Sequence, residues 1–573
     1  MNLKQNECIT LAMFILVFVL LCSLNLKNTS LTADEISYTP VGIAYFRANE
    51  YSLNYEHPPL IKQYLALPLL ILNPKVPIEN GVVQVNSSSE FGRETLFALG
   101  NDADQLLFWA RAMNIFLGIV LGLSILFLTH KVFGKTSAYG SLIFFCFSSI
   151  IIANSQLATL DIGLSLLMFL TVVALWNLID QPSIKNYWLL VLVTTLALLS
   201  KYPAMILLPI IGSIYLILKL QKSTEKFDSW VKKEFIRGRN VFLVLFAVAA
   251  ITLTFIILIM WADYGFETVS KVHVDKNTCD SGSGFIFRLG CHTAYTVSEK
   301  SPFFPTYFKG LVFQSSHNLQ GHSEYFLGRN YDKVPIVYFL VAFLIKTEIP
   351  ILILFISSIY LFRNECKILT FLLTPILILF AYFSIINNVS IGIRYLLPMY
   401  PFIFVLVGGA WGKIVKKRVV GKVAAALLIG WFIIGNLLVF PYYLAYFNEA
   451  VGGSDKGYRY LLNSNLDWGQ DVILLKGFIE ERGIDNALIN YYGPESLEYR
   501  GIRGHRVSCF NSTHYESEGN ILSSEDLKSK DLFISLNQLY RFDFEGCWAS
   551  FRQSTPNDVI GKSIFYFNAS ATS

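Results

Sequence analysis

The chain has 573 residues, 54% hydrophobic and only 15% charged, with 46 Phe and a formal net charge of +5. A soluble protein of this length carries roughly 25% charged residues, so a water-soluble globule is excluded. So small a positive surplus leaves no electrostatic footprint for nucleic acid.

Apolar runs of roughly 17 to 25 residues, the length a helix needs to cross a bilayer, recur along the chain. Eleven are read as spans: 9–26, 106–129, 137–152, 158–178, 187–200, 203–219, 241–262, 335–362, 368–386, 396–412 and 423–443. The first resembles a signal-peptide core, with Lys4 ahead of it. No small-residue cleavage site precedes Asp34, so it is read as a retained helix. Several spans are short, as suits helices that end at a cavity inside the bilayer.

Lys and Arg in short connections mark the cytoplasmic side. Segment 219–240 carries Lys219, Lys222, Lys226, Lys232, Lys233, Arg237 and Arg239. Segment 413–422 carries Lys413, Lys416, Lys417, Arg418 and Lys422, and Lys131, Lys135, Arg363 and Lys367 fall in two shorter connections. Eleven spans counted from a cytoplasmic N-terminus place all four segments inside. Loops 27–105, 263–334 and 387–395, and everything after 443, then lie outside.

Chemistry concentrates on that outer side. The stretch from Thr32 to Tyr64 holds the adjacent acids Asp34 and Glu35, then aromatics, then Glu56-His57-Pro58-Pro59 and Lys62. Asp34, Glu35, His57, Lys62, Arg111, Asp161, Lys201, Lys346 and Arg394 all fall on or near the outer ends of spans. Any one of them could snorkel to the headgroups. Nine residues of both signs on one face point to a shared polar cavity, because charge at membrane depth is costly unless used. Lys346 interrupts VAFLIKTEIPILIL, so 335–345 is read as an interfacial helix with Lys346 at the turn into the true span.

From Leu444 the composition turns polar. Val472, Leu475, Phe478 and Ile479 recur at helical spacing, and ALINYY and DLFISL read as short buried strands, which predicts a small α/β domain. DWGQD is read as the helix N-terminus, capped by Asn465 or Asp467. Cys8, Cys22, Cys146 and Cys366 lie in or beside apolar segments and read as packing residues. Cys279 with Cys291, and Cys509 with Cys547, are candidate disulfides if their regions face an oxidising compartment.

ADEISY in the first loop and EHPPLIK some twenty residues later resemble the membrane glycosyltransferases that use polyprenyl-phosphate sugars. That superfamily includes the protein O-mannosyltransferases and the lipid A aminoarabinose transferases. LLFWARAMN, ATLDIGLSLL, LALLSKYPAMILLP, GHSEYFLGR, VAFLIKTEIP, SIGIRYLLPMYPF and NSNLDWGQDVILLKGF continue the resemblance in order, from about residue 10 to 480. The aminoarabinose transferases carry Lys before the Pro-Pro pair, where this chain has His57. HPPxxK spacing is closer to the protein mannosyltransferases, yet their large β-trefoil insert has no room in a loop of about seventy residues. The resemblance implies the donor type and leaves the acceptor open.

In that chemistry polyprenyl phosphate leaves as an anion. Two things are needed: a carboxylate to take the acceptor hydroxyl's proton, and cations where charge develops on the phosphate. Asp34 matches the first acid of the family's loop motif and is the candidate general base; its bland alternative is a helix cap. Glu35 is expected to orient the acceptor or hold the loop. Asp161 is expected to pair with Arg111 or help place the acceptor. Lys201, Arg394 and His57 are candidate phosphate ligands, with Lys62, Arg111 and Lys346 behind them; His57 would help most if protonated. One base and direct attack imply inversion at the sugar carbon, and covalent retention would need a second carboxylate close by.

The sequence thus predicts a polytopic α-helical membrane protein of about eleven transmembrane helices, GT-C type by resemblance. The membrane domain is expected over 1–443 and a small extracytoplasmic α/β domain over 444–573. The expected activity is sugar transfer from a polyprenyl-phosphate donor to a hydroxyl of a lipid-linked glycan or protein on the outer face. Donor, acceptor and membrane lipids are the expected partners, with no nucleic acid. No cofactor or metal ligand is assigned. A divalent ion on Asp34, Glu35, Asp161 and external His stays open, although the cations alone can neutralise the phosphate. The competing reading is a secondary transporter or lipid flippase, which should place ionisable residues near midplane and show two related halves. The missing trefoil favours a bacterial plasma membrane with the site facing outside over the endoplasmic reticulum.

Overall fold

The structure, a computed structural model, describes residues 5–568 except 236–240, 281–284, 334, 512–513, 518–519, 523–526, 528–529 and 544–545. Among the described residues, eight helices are long and apolar enough to cross a membrane: Glu7–Asn28, Ala103–Phe133, Asp161–Asp180, Tyr202–Leu220, Phe246–Asp263, Cys366–Ile386, Ile393–Val415 and Val419–Val439. Two further spans are broken: Lys135–Phe147 with Ser149–Ser155, bent by 61°, and Tyr338–Lys346 with Ile349–Leu361, bent by 112°. Ile184–Leu198, a shorter apolar helix, occupies the remaining predicted segment. The eleven apolar runs therefore become eight straight helices, two bent pairs and one short helix.

The breaks have local causes. Pro350 cannot donate a backbone hydrogen bond, which suits the first turn of Ile349–Leu361 and not the interior of a continuous span. Backbone groups freed by a break at membrane depth must be satisfied within the protein. Here the two breaks satisfy each other: Ser149 N donates to Glu348 Oε1 at 2.7 Å, and Ser148 Oγ donates to the same oxygen at 3.1 Å. Asn436, from the last span, accepts from Ser149 N at 3.0 Å.

The two ends of the bundle differ in charge. Lys367 pairs with Asp180 at 2.9 Å, Lys131 donates to Asn177 at 2.8 Å, and Lys135 pairs with Glu7. All six lie where the basic connections place the cytoplasmic side. Ile393–Val415 runs through the middle of the bundle, with Tyr400 to Ala410 buried throughout.

Beyond the last span, a five-stranded sheet runs in the order Asp558–Ile560, Ile564–Phe567, Leu532–Ser535, Ala487–Asn490, Gly504–Arg506. The three strands from Leu532–Ser535 to Gly504–Arg506 are parallel; the two from the end of the chain join antiparallel. The predicted strands in ALINYY and DLFISL are neighbours at its centre. Helix Val472–Arg482 packs Val472, Leu475 and Ile479 against one face, through Ile489, Phe533 and Tyr566.

Candidate functional site

Four chain segments bring opposite charges together at the end of the bundle opposite the basic connections. Asp34 ends the turn that leads into Glu35–Tyr38. Asp161 opens the helix Asp161–Asp180, Lys201 precedes the turn Tyr202–Ile206, and Arg394 stands at the start of Ile393–Val415. The Arg394 guanidinium lies 2.5 Å from Asp34 and 3.6 Å from Asp161, and Lys201 Nζ lies 2.7 Å from Asp161. The result is an alternating chain, Asp34–Arg394–Asp161–Lys201. Asp34 is its most exposed member, with 21% of its side chain open, while the other three are almost fully buried. Arg394 Nε and Asp161 Oδ2 have no hydrogen-bond partner, so the chain keeps polar capacity for a ligand.

A cavity of 530 Å³ adjoins this charge chain: Tyr202 and Tyr395, the sequence neighbours of Lys201 and Arg394, line it, and none of the four charged residues does. His57, Tyr202 and Tyr395 line the mouth end, and Lys201 Nζ sits 5.6 Å from the centre of the Tyr395 ring. Further in, the walls are largely apolar, with Ile206, Leu311, Ile378 and Phe383. A greasy cavity lined by an imidazole, with Lys201 and Arg394 one residue away from its Tyr202 and Tyr395 walls, suits an anionic lipid.

Other predicted residues do different work. Glu35 is buried beneath the loop and held by Arg111 through two 2.8 Å contacts. It also accepts from Ala158 N, Thr32 N and Thr32 Oγ1 at 2.8, 3.0 and 2.9 Å. Burial pushes its carboxyl up, and Arg111 with these donors more than reverses that, leaving it below the ordinary value. Arg111 also donates to the Thr29 and Ser30 carbonyls, both at 2.8 Å. The expected Asp161–Arg111 pair is therefore corrected: Arg111 belongs to Glu35, and Asp161 to Lys201 and Arg394. Glu35 and Arg111 hold the loop, with both Glu35 oxygens taken and four of the five Arg111 N–H groups engaged.

Lys62 is likewise enclosed, donating to the Asn54 and His57 carbonyls at 2.6 Å each, to Asn54 Oδ1 at 3.0 Å and to Tyr45 at 3.1 Å. Burial brings its pKa down to about 7. It fixes the backbone that aims His57 and does not reach the cavity. His57 is corrected in charge: burial, then Lys201, Lys62 and Arg394, push its pKa well below the ordinary value. It enters the cavity as a neutral ring whose Nδ1 has no partner. Lys346 sits at the 112° bend, donating to the Leu444 and Asn465 carbonyls at 2.9 and 2.6 Å. It ties the broken span to the chain beyond the membrane.

Cys279 and Cys291 form a disulfide in the long outer loop. Cys547 is disulfide-bonded, and the side chain of Cys509 lies outside the described residues. Among the described residues, no group of three or more His, Cys, Asp or Glu side chains is placed to hold a metal ion.

The sequence reading missed what Asn463–Asp471 does. Asp467 does not cap the following helix: its carboxylate accepts from Asn537 N at 2.8 Å. Asn465 Oδ1 instead accepts from Ile393 N at 2.9 Å, next to Arg394. Trp468 lies under Arg394, with the guanidinium carbon 4.2 Å from the ring centre. Trp468 O accepts from Ala33 N at 3.1 Å and Gln470 O from Ser30 N at 2.9 Å. Gly469 makes this turn with φ +91°, and a side chain there would strike the backbone of Gly493. The available signal was a dense run of amides and acids that burial alone cannot explain.

Residues 9–276, just under half of the chain, match the family model of the dolichyl-phosphate-mannose-protein mannosyltransferases. With the helical bundle and the sheet beyond its last span, this match makes the chain similar to the polytopic membrane glycosyltransferases of the GT-C class. Within that class, the chain resembles the superfamily that uses polyprenyl-phosphate sugars, which is the resemblance carried by ADEISY and EHPPLIK. Among solved structures it is similar to ArnT from Cupriavidus metallidurans, at 12% identity over 98% of each chain. The TM-score is 0.45 for the apo state and 0.46 for the state bound to undecaprenyl phosphate. It is also similar to the archaeal oligosaccharyltransferase AglB from Archaeoglobus fulgidus, solved with an inhibitory peptide and a dolichol-phosphate. That similarity has 14% identity, covers 75% of this chain and 54% of that one, and has a TM-score of 0.41. No curated protein sequence matches the chain.

Proposed function

We propose that the protein transfers a sugar from a polyprenyl-phosphate donor to a hydroxyl of a lipid-linked glycan or protein on the extracytoplasmic face, with inversion at the sugar carbon. The observation that carries this reading is the Asp34–Arg394–Asp161–Lys201 chain beside a largely apolar 530 Å³ cavity, with Lys201 and Arg394 next in sequence to its lining residues Tyr202 and Tyr395. The prenyl chain would occupy the cavity and its phosphate the mouth. Arg394 and Lys201 supply charge to the phosphate, the first in bidentate geometry and the second as a point charge. Neutral His57 contributes a hydrogen bond. Asp161 stays between the two cations and keeps their spacing.

The donor also arms the base. Without donor, Asp34 and Arg394 neutralise each other. A phosphate entering beside Arg394 competes for the guanidinium and frees the Asp34 carboxylate. Asp34 then takes the proton of the acceptor hydroxyl as its oxygen bonds to the anomeric carbon and the sugar–phosphate bond breaks. Polyprenyl phosphate leaves with the bond's electron pair and needs no protonation. The membrane unit, 1–443, holds the donor, and the region 444–573 covers the acceptor side. A bacterial plasma membrane with the site facing outside is the proposed location.

Purified full-length protein in lipid nanodiscs, incubated with radiolabelled polyprenyl-phosphate sugars and envelope extract, tests the proposal. Label passing to a lipid-linked glycan or protein is the expected result. Counterflow of free solute without any labelled product would replace it with a transporter.

A further inference from the structure

Trp468 lies far along the chain from the first-loop motifs, yet it holds Arg394 directly and Asp34 through the residue before it. Its ring is 99% buried, and the Arg394 guanidinium carbon stands 4.2 Å from its centre. Its carbonyl accepts from Ala33 N, the residue before Asp34, at 3.1 Å. Neighbours extend the same hold. Ser464 and Asn465 bind the Ile391 carbonyl and Ile393 N ahead of Arg394, and Gln470 O receives Ser30 N. Behind Trp468, Asp467 and Asp471 anchor the segment to Asn537 at 2.8 Å and to Ser563 at 2.7 Å. One short turn beyond the last span therefore sets the position of a base and a cation that are 360 residues apart in the chain.

Resting on the proposed function, we infer that Trp468 is the positioning residue of the site: its ring carries Arg394 while Arg394 passes from Asp34 to the donor phosphate. A guanidinium is attracted to the face of an indole ring, and more strongly where water is excluded. Face-on contact leaves all five N–H groups in the plane free for anions. Without donor, Asp34 at 2.5 Å also restrains Arg394. With the phosphate bound, that restraint is shared away and the ring becomes the contact that persists. A weakened ring lets Asp34 draw Arg394 out of position in the free state, so part of the phosphate's binding energy goes into restoring that position, and affinity for lipid phosphate falls.

Fluorinated tryptophans placed at position 468 of the full-length protein test this. Fluorine withdraws electron density from the ring face at nearly constant shape, so packing of the turn is kept. Binding is read by titrating undecaprenyl phosphate and, separately, dolichyl phosphate into nanodiscs; transfer is read on the same samples. The expected result is a stepwise loss of lipid-phosphate affinity with each added fluorine, about tenfold across the series. Transfer should fall in parallel and the melting temperature should stay within about two degrees. Trp468→Phe should keep more affinity than Trp468→Leu at equal melting temperature. A flat fluorine series in a wild-type protein that binds lipid phosphate overturns the role of Trp468 and leaves the proposed function standing. Wild-type protein that binds neither lipid phosphate overturns both.

Discussion

Asp34→Asn separates the two tasks assigned to Asp34. As a general base its loss is worth about 10²- to 10⁴-fold in rate. As the partner of Arg394, 2.5 Å away, it competes with the donor phosphate for one guanidinium. Removing its charge takes away that competitor, so lipid-phosphate affinity should hold or rise while transfer collapses. The fold should tolerate the change. Asp34 is the most exposed member of the charge chain, and Arg394 keeps Asp161 at 3.6 Å, so no buried cation is left alone. Melting is expected to move far less than the about 3–5 kcal/mol typical when a fully buried pair loses one partner. The assay pairs single-turnover transfer with binding of undecaprenyl phosphate to the same nanodisc sample. Asp34→Asn protein that transfers at the wild-type rate would refute its role as base. Protein whose lipid affinity falls tenfold or more would refute the competition.

Glu35→Ala should behave in the opposite way: it leaves Arg111 buried without its carboxylate, costs about 3–5 kcal/mol of stability, and shows as lost expression and a lower melting temperature. Any Glu35→Ala protein that does fold should still bind lipid phosphate. Ile206→Trp, which pushes an indole into the 530 Å³ cavity, should abolish lipid-phosphate binding and leave the melting temperature unchanged. Stability should fall as pH rises from about 5 to 7. Burial raises Glu324 and Asp467 to about 7 and Asp471 to about 6, so in this window the folded chain holds protons that the unfolded chain has released. Each group is stabilising when protonated, and that contribution is fully lost above its folded pKa. Asp467→Asn should flatten part of the slope in a pH series of thermal melts.

Much of the bundle was legible because a helix in lipid must be long, apolar and continuous, and those demands are written residue by residue. The bends were less so: Pro350 marks one, whereas Ser148 and Ser149 satisfy their freed groups through Glu348, 200 residues away. In the site, the sequence collected ionisable residues onto one face but could not pair them. Arg111 could meet Glu35 or Asp161 equally well on paper. The choice follows from the depth at which Glu35 is buried and from the Ala158 and Thr32 donors around it. His57 is a candidate phosphate ligand on sequence, helping most if protonated, and nothing local reveals that Lys201, Lys62 and Arg394 act on it. Trp468 stayed hidden because its partner is brought to it only by the fold.

A density map of the full-length protein with bound undecaprenyl phosphate would bear hardest on the proposed site. The expected map shows the phosphate between Arg394, Lys201 and His57, with the prenyl chain in the cavity beyond Tyr202 and Tyr395. Asp34 should be released from Arg394, and the guanidinium should still lie on Trp468. A phosphate bound elsewhere, with Asp34 and Arg394 still paired, would contradict the site and the catalytic order built on it.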